Sequence, residues 1–79
     1  MNVLIYSKDN CPNCIKVKNI LNKYKPKIFI LGKDISREDF FNKFPNAKEV
    51  PQVIINNECI GGYKDVEKWI AFNTTNDDF

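Results

Sequence analysis

A chain of 79 residues, 43% hydrophobic and 28% charged, has room for one domain around one modest core. Its three cysteines, an odd number, and its lack of histidine exclude a secreted disulfide framework and leave a four-ligand zinc site incomplete. The net charge of +2 hides an asymmetry, because residues 1–33 carry +6 and the remainder carries −4.

In chain order, Val3, Leu4, Ile5 and Tyr6 form a continuous apolar run with β-branched and aromatic members, the pattern of a buried central strand. Ser7 to Asn10 is a polar loop. From Cys11 onward the apolar positions Cys14, Val17, Ile20, Leu21 and Tyr24 follow helical spacing. Pro12 suits a first helical residue, whose N–H has no helical partner in any case. The stretch Cys11-Pro12-Asn13-Cys14 therefore puts two sulfurs on one face of a helix start, within disulfide reach. A thiolate there is favoured by the dipole and the free N–H groups. This placement predicts an exposed attacking sulfur at Cys11 and a sheltered one at Cys14, the asymmetry that disulfide exchange requires. Lys16, Lys18, Lys23 and Lys25 cover the outer helix face, and Pro26 is expected to close the helix.

Lys27 to Leu31 reads as a second strand ended by Gly32. Strand, helix and strand within about thirty residues make a βαβ unit with parallel strands and a right-handed crossover. Ser36 is a predicted N-cap with Asp39 three residues on, and Phe40, Phe41 and Phe44 lie on a short second helix that Pro45 stops. These phenylalanines are read as core rather than cofactor contacts. Val50 to Ile55 begins a third strand, Asn56-Asn57 supplies a tight turn, and Glu58 to Ile60 returns as a fourth. Pro51 belongs at the head of a strand or at a ligand-facing edge, where its missing N–H is excused. Gly61-Gly62 permits a tight turn and close approach, and the following helix, Tyr63 to Phe72, turns Val66, Trp69 and Ile70 inward. Its N-terminus is an anion-binding candidate. Residues 73–79 form a polar, acidic tail expected to fray, which puts the domain at 1–72. Cys59 is read as a small core or edge residue.

No apolar segment is long enough to predict a signal peptide or membrane span, and three cysteines with one reactive pair fit a reducing cytosol, so a cytoplasmic protein is expected. The basic flank near the cysteines favours anionic substrates or an acidic partner segment, with a solvated helix face as the plain alternative. Scattered lysines without a recognised motif or aromatic platform give no case for nucleic acid.

Together, Cys-Pro-x-Cys after the first strand, Val-Pro-Gln before the third and Ile-Gly-Gly-Tyr-x-Asp at the last helix resemble a glutaredoxin over residues 1 to about 72. Gly61-Gly62-Tyr63-Lys64-Asp65 with Trp69 is similar to the small bacterial dithiol members, which donate hydrogen to ribonucleotide reductase and other disulfide substrates. The resemblance implies a thioredoxin-like α/β fold, β1-α1-β2-α2-β3-β4-α3, with a mixed four-stranded sheet of order 2-1-3-4 and helices on both faces. It implies a monomeric, glutathione-dependent thiol-disulfide oxidoreductase with no tightly bound cofactor or metal. By the same resemblance Cys11 is the nucleophile and Cys14 the resolving thiol, with Lys8 favouring the thiolate and meeting a glutathione carboxylate. Asn13, Val50, Pro51, Gly62, Tyr63, Lys64 and Asp65 would bind glutathione: Val50 through its backbone, Pro51 as a cis-proline facing the disulfide, Tyr63 and Lys64 through their amides, and Asp65 at the ammonium. Two positions depart from the family pattern: Asn13 replaces a frequent tyrosine, and Glu49 replaces a threonine and brings a negative charge to the groove. The alternatives are a redoxin served by thioredoxin reductase and a non-enzymatic carrier of an iron–sulfur cluster.

Overall fold

The computed structural model describes residues 1–74. Four strands, β1 (Val3–Ser7), β2 (Lys27–Ile30), β3 (Gln52–Ile55) and β4 (Glu58–Gly61), form a single sheet in the order β2-β1-β3-β4. β1 pairs parallel with β2, Ile5 opposite Ile28, and antiparallel with β3, Ile5 opposite Val53. The expected sheet and its crossover are therefore present.

Helix α1 (Pro12–Leu21) has Pro12 at its first position and buries Cys14, Val17 and Leu21. It ends earlier than Pro26: a single 3-10 turn, Asn22–Tyr24, follows Leu21, and Lys25 stops it in the left-handed region at φ 52°. The backbone reverses before the proline is reached. Helix α2 (Arg37–Lys43) starts at Ser36, whose hydroxyl accepts the Asp39 N–H at 3.0 Å. Phe44 is its C-cap rather than a helical residue, yet it is buried. Helix α3 (Tyr63–Thr74) extends two residues past the expected tail boundary; the rest of that tail lies outside the described residues.

Alternation along the central strands divides the core in two. Val3, Ile5, Val53 and Ile55 face α1 and α3, meeting Val17, Leu21 and Val66. Tyr6 faces the other side with Phe40 and Phe44, and Leu4, Phe29, Ile35 and Val50 pack around them. The Tyr6 ring stacks on Phe29 at 4.8 Å and meets Phe44 edge-on at 5.1 Å, so Phe40 and Phe44 are core as expected, whereas Phe41, expected there too, lies at the surface. Asn56 and Asn57, at φ 51° and 68°, make the tight β3–β4 turn that asparagine tolerates. Strands are shorter than their apolar runs: Leu31 leaves β2 for an isolated bridge to Ile35, and Val50 and Pro51 precede β3. This last difference matters most, because it frees the Val50–Pro51 backbone to face the cysteines.

Candidate active site

Cys11 is the N-cap of α1. Its extended backbone (φ −118°, ψ 106°) turns the side chain back over the helix start, where the Cys14 N–H donates to its sulfur at 3.3 Å. A helix N-terminus that points N–H groups at sulfur stabilises negative charge on it. Cys11 and Cys14 are joined as a disulfide, with Cα atoms 5.2 Å apart.

Cys14 is fully buried, as the helical spacing predicts, but Cys11 is not the open sulfur expected: it is only 7% exposed. The segment before β3 covers it. The Val50 carbonyl oxygen lies 3.8 Å from the Cys11 sulfur, and the Val50–Pro51 peptide is cis. Spacing along one helix carries no information about a segment some forty residues away, and that segment sets the exposure. The covering segment is itself tied down, since the Gln52 side-chain amide donates to the Glu49 carbonyl at 3.0 Å. Pro51, within this segment, is fully buried.

The glycine pair meets this loop from the other side. A Cβ on Gly62 would lie 3.5 Å from the Pro51 carbonyl oxygen and 3.7 Å from a Glu49 carboxylate oxygen. Gly61, at φ +120°, has the Asp65 carboxylate where a side chain would project, so glycine is required there on both counts. Asp65 is the third residue of α3 and accepts the Gly62 N–H at 3.2 Å, half of a capping box. The Tyr63 hydroxyl donates to Glu67 at 3.2 Å. Partial burial, the Glu67 charge and this bond hold the Tyr63 phenol above its ordinary range.

Two cavities open beside this loop. The larger, about 900 Å³, runs between Asn13 of α1, the segment from Phe44 to Glu49, and Gly62, Tyr63, Lys64 and Asp65 at the start of α3. The smaller, about 180 Å³, contains Lys8 and Val50 with Leu31, Arg37 and Phe41. Lys48 and Glu49 line both. The residues expected to bind glutathione are thus divided between two recesses that share Lys48 and Glu49, and Cys11, Cys14 and Pro51 line neither. Arg37, whose guanidinium sits 5.6 Å over the Phe41 ring, was not among the expected site residues. Nor was Gln52, and its only sequence signal is its place directly after Val50-Pro51. Cys59 lies on the edge strand β4, exposed and lining the large groove, and is therefore not a core residue. A register shift between Val53 and Ile54 in the β3–β4 pairing carries β4 out of simple alternation.

A family model described as Glutaredoxin matches residues 3–60. The chain belongs to the glutaredoxin family. Glutaredoxin-1 of Gallus gallus is 33% identical over 84% of this chain and 70% of its own length. Glutaredoxin 1 of Escherichia coli K12 is 28% identical, covering 92% of this chain and 96% of that protein. The solved structure of reduced E. coli glutaredoxin superimposes with a TM-score of 0.79 at 25% identity, covering 95% of this chain and 99% of that one. This glutaredoxin is therefore a thiol-disulfide oxidoreductase on a thioredoxin-like fold. Its family uses glutathione as reductant and acts on disulfide-bearing proteins.

Proposed function

We propose that this glutaredoxin reduces protein disulfides and glutathione mixed disulfides at the expense of glutathione. The observation that carries the reading is the placement of the Cys11 sulfur: at the start of α1, against the carbonyl of Val50, a residue that lines the smaller cavity. Cys11 thiolate attacks the glutathionyl sulfur of a mixed disulfide, forming a Cys11–glutathione disulfide and releasing the substrate thiolate, which takes up a proton. A second glutathione then attacks that bond, releasing oxidised glutathione and restoring Cys11. With a protein disulfide, Cys11 forms the mixed disulfide, Cys14 displaces the reduced protein, and two glutathiones reopen the Cys11–Cys14 bond.

The larger groove has the size of small-ligand sites in general. The Val50 backbone offers strand-like hydrogen bonds to a bound cysteinyl unit, and Lys8 an ammonium to a carboxylate. The first amides of α3 suit the γ-glutamyl carboxylate and Asp65 its ammonium. Asn13 and Gly62 complete the walls, with Pro51 fixing the loop beneath. A cytoplasmic monomer with ribonucleotide reductase among its substrates fits the resemblance to small dithiol glutaredoxins. The class leads us to expect a potential of roughly −200 to −230 mV.

The test is reduction of hydroxyethyl disulfide, coupled to glutathione and glutathione reductase, by wild type and Cys11→Ser. Activity in wild type that vanishes in the variant is the expected result. A wild type inactive with glutathione but active with thioredoxin reductase would overturn the glutathione assignment.

A further inference from the structure

The two cavities flanking the segment before β3 share Lys48 and Glu49, and the Glu49 carboxylate has no partner among the described residues. Glu49 is exposed and lines both recesses. Among the described residues no ion pair engages it, although lysines stand nearby. Its backbone is fixed by the hydrogen bond from Gln52, and it directly precedes the residue whose carbonyl faces the Cys11 sulfur. Its carboxylate oxygen comes within 3.7 Å of the Cβ position on Gly62, on the side where the Pro51 carbonyl also lies. The negative charge is therefore held on an anchored segment, one residue from the carbonyl that faces the Cys11 sulfur.

The rest of the large groove has the opposite sign. Lys43, Lys48, Lys64 and Lys68 line it, and Asp65 is the other acid. The Asp65 carboxylate is engaged by the Gly62 N–H, which leaves Glu49 as the acid without a hydrogen bond or ion pair among the described residues. Lysine ammoniums swing on four-carbon stems and sample much of the groove, whereas the Glu49 carboxylate hangs on a shorter stem from a pinned backbone. A substrate entering this site meets diffuse positive charge along the walls and localised negative charge on the segment that covers the Cys11 sulfur.

We infer that Glu49 is a specificity-determining residue that sets the charge preference for the group flanking the substrate disulfide, favouring cationic over anionic substituents. The inference rests on exchange at Cys11 and is independent of glutathione. In the step concerned, Cys11 thiolate bonds to one sulfur of RSSR and expels RS⁻. Cys14 then gives up its proton and displaces the second RS⁻, so that the enzyme dithiol is oxidised and RSSR is reduced to two thiols.

Three symmetric disulfides of equal chain length isolate this effect: cystamine (cationic), 2-hydroxyethyl disulfide (neutral) and 3,3′-dithiodipropionate (anionic). The reduced enzyme is mixed with each in excess, without glutathione, at pH 7 and low ionic strength. Oxidation is followed by acid quench and alkylation of the remaining thiols. Cystamine and dithiodipropionate rates are expressed relative to the neutral disulfide, and each set is corrected by its rate with free dithiothreitol. The expected result is a cation-to-anion ratio that falls about three- to tenfold in Glu49→Gln, with the two rates moving in opposite directions. Salt at about 0.5 M should erase most of the difference between wild type and variant.

A ratio unchanged by Glu49→Gln would overturn the inference. So would rates that move together for all three disulfides, because Glu49 would then be acting on the Cys11 sulfur. Failure of the glutathione assignment would leave these ratios intact, and wild type inert to all three disulfides would instead strike at exchange by Cys11 itself.

Discussion

The Cys14 N–H donates to the Cys11 sulfur at 3.3 Å, so the group that caps helix α1 is also the sulfur assigned to the chemistry. The two roles separate by substitution. Serine is a preferred N-cap and keeps an acceptor, whereas alanine removes it at a cost of about 1 kcal/mol. Urea unfolding of the reduced proteins should place Cys11→Ser within a few tenths of a kcal/mol of reduced wild type and Cys11→Ala about 1 kcal/mol below it. Both variants should be inactive in the coupled assay. Equal stability of the two would show that the N–H···S contact contributes nothing to the helix.

Cys14 is fully buried behind Cys11, sheltered from direct attack by a bulky disulfide. Cys14→Ser should therefore retain reduction of a glutathione mixed disulfide while reducing a protein disulfide roughly tenfold or more slowly, about 1.4 kcal/mol in the apparent barrier. Parallel steady-state assays on the two substrate types make the comparison. Equal losses in both would contradict the resolving role.

The burial of Cys11 marks the limit of what sequence periodicity conveys. Helical spacing placed Cys14, Val17 and Leu21 inward correctly, and the Asn56-Asn57 turn and the Ser36 cap followed from local chemistry. Those features depend on neighbours within four residues. Cys11 is covered instead by Val50, 39 residues away, and Arg37 reaches the Lys8 recess only because β1 and α2 come together in space. Cys59, opposite Ile54, is exposed on the edge strand β4, and strand order is a tertiary property that composition does not encode. The family motif carried the fold across these gaps; local pattern alone would not have joined the cysteines to Val50-Pro51 and Gly61-Gly62.

Ser7 ends β1 with its side chain fully buried, and its hydroxyl has no hydrogen-bond partner among the described residues. A buried unsatisfied hydroxyl costs about 1–3 kcal/mol. Ser7→Ala should consequently raise the unfolding free energy of the oxidised protein by about 1 kcal/mol, read as a higher urea midpoint at unchanged m-value. A lower midpoint would mean that the hydroxyl does find a partner.

Phe40 and Phe41 are adjacent in α2 and differ sharply in surroundings. Phe40 is 1% exposed against Tyr6 and Phe44, whereas Phe41 is 37% exposed. Phe40→Ala should cost about 3–5 kcal/mol, a large part of the stability of a domain this small. Phe41→Ala should cost less than about 1.5 kcal/mol, since only part of its ring is removed from water. Thermal and urea unfolding measured side by side test the pair, and comparable losses would contradict the two-sided core.

Asp65 combines a structural and a proposed binding role on one carboxylate. It accepts the Gly62 N–H at 3.2 Å and occupies the space over Gly61, in the first turn of α3 where negative charge complements the helix dipole. Loss of the cap and the charge in Asp65→Ala should lower stability by about 0.5–1 kcal/mol. Asp65→Asn keeps the shape and an acceptor oxygen, so its stability should stay closer to wild type while the charge is lost. If the carboxylate also receives the ammonium of glutathione, both variants should raise KM for a glutathione mixed disulfide by roughly three- to tenfold, with a smaller change in kcat. Because the group is exposed, the KM effect should shrink as salt is raised through about 0.5 M. A variant set in which stability falls and KM does not move would confine Asp65 to holding the glycine turn and the start of α3.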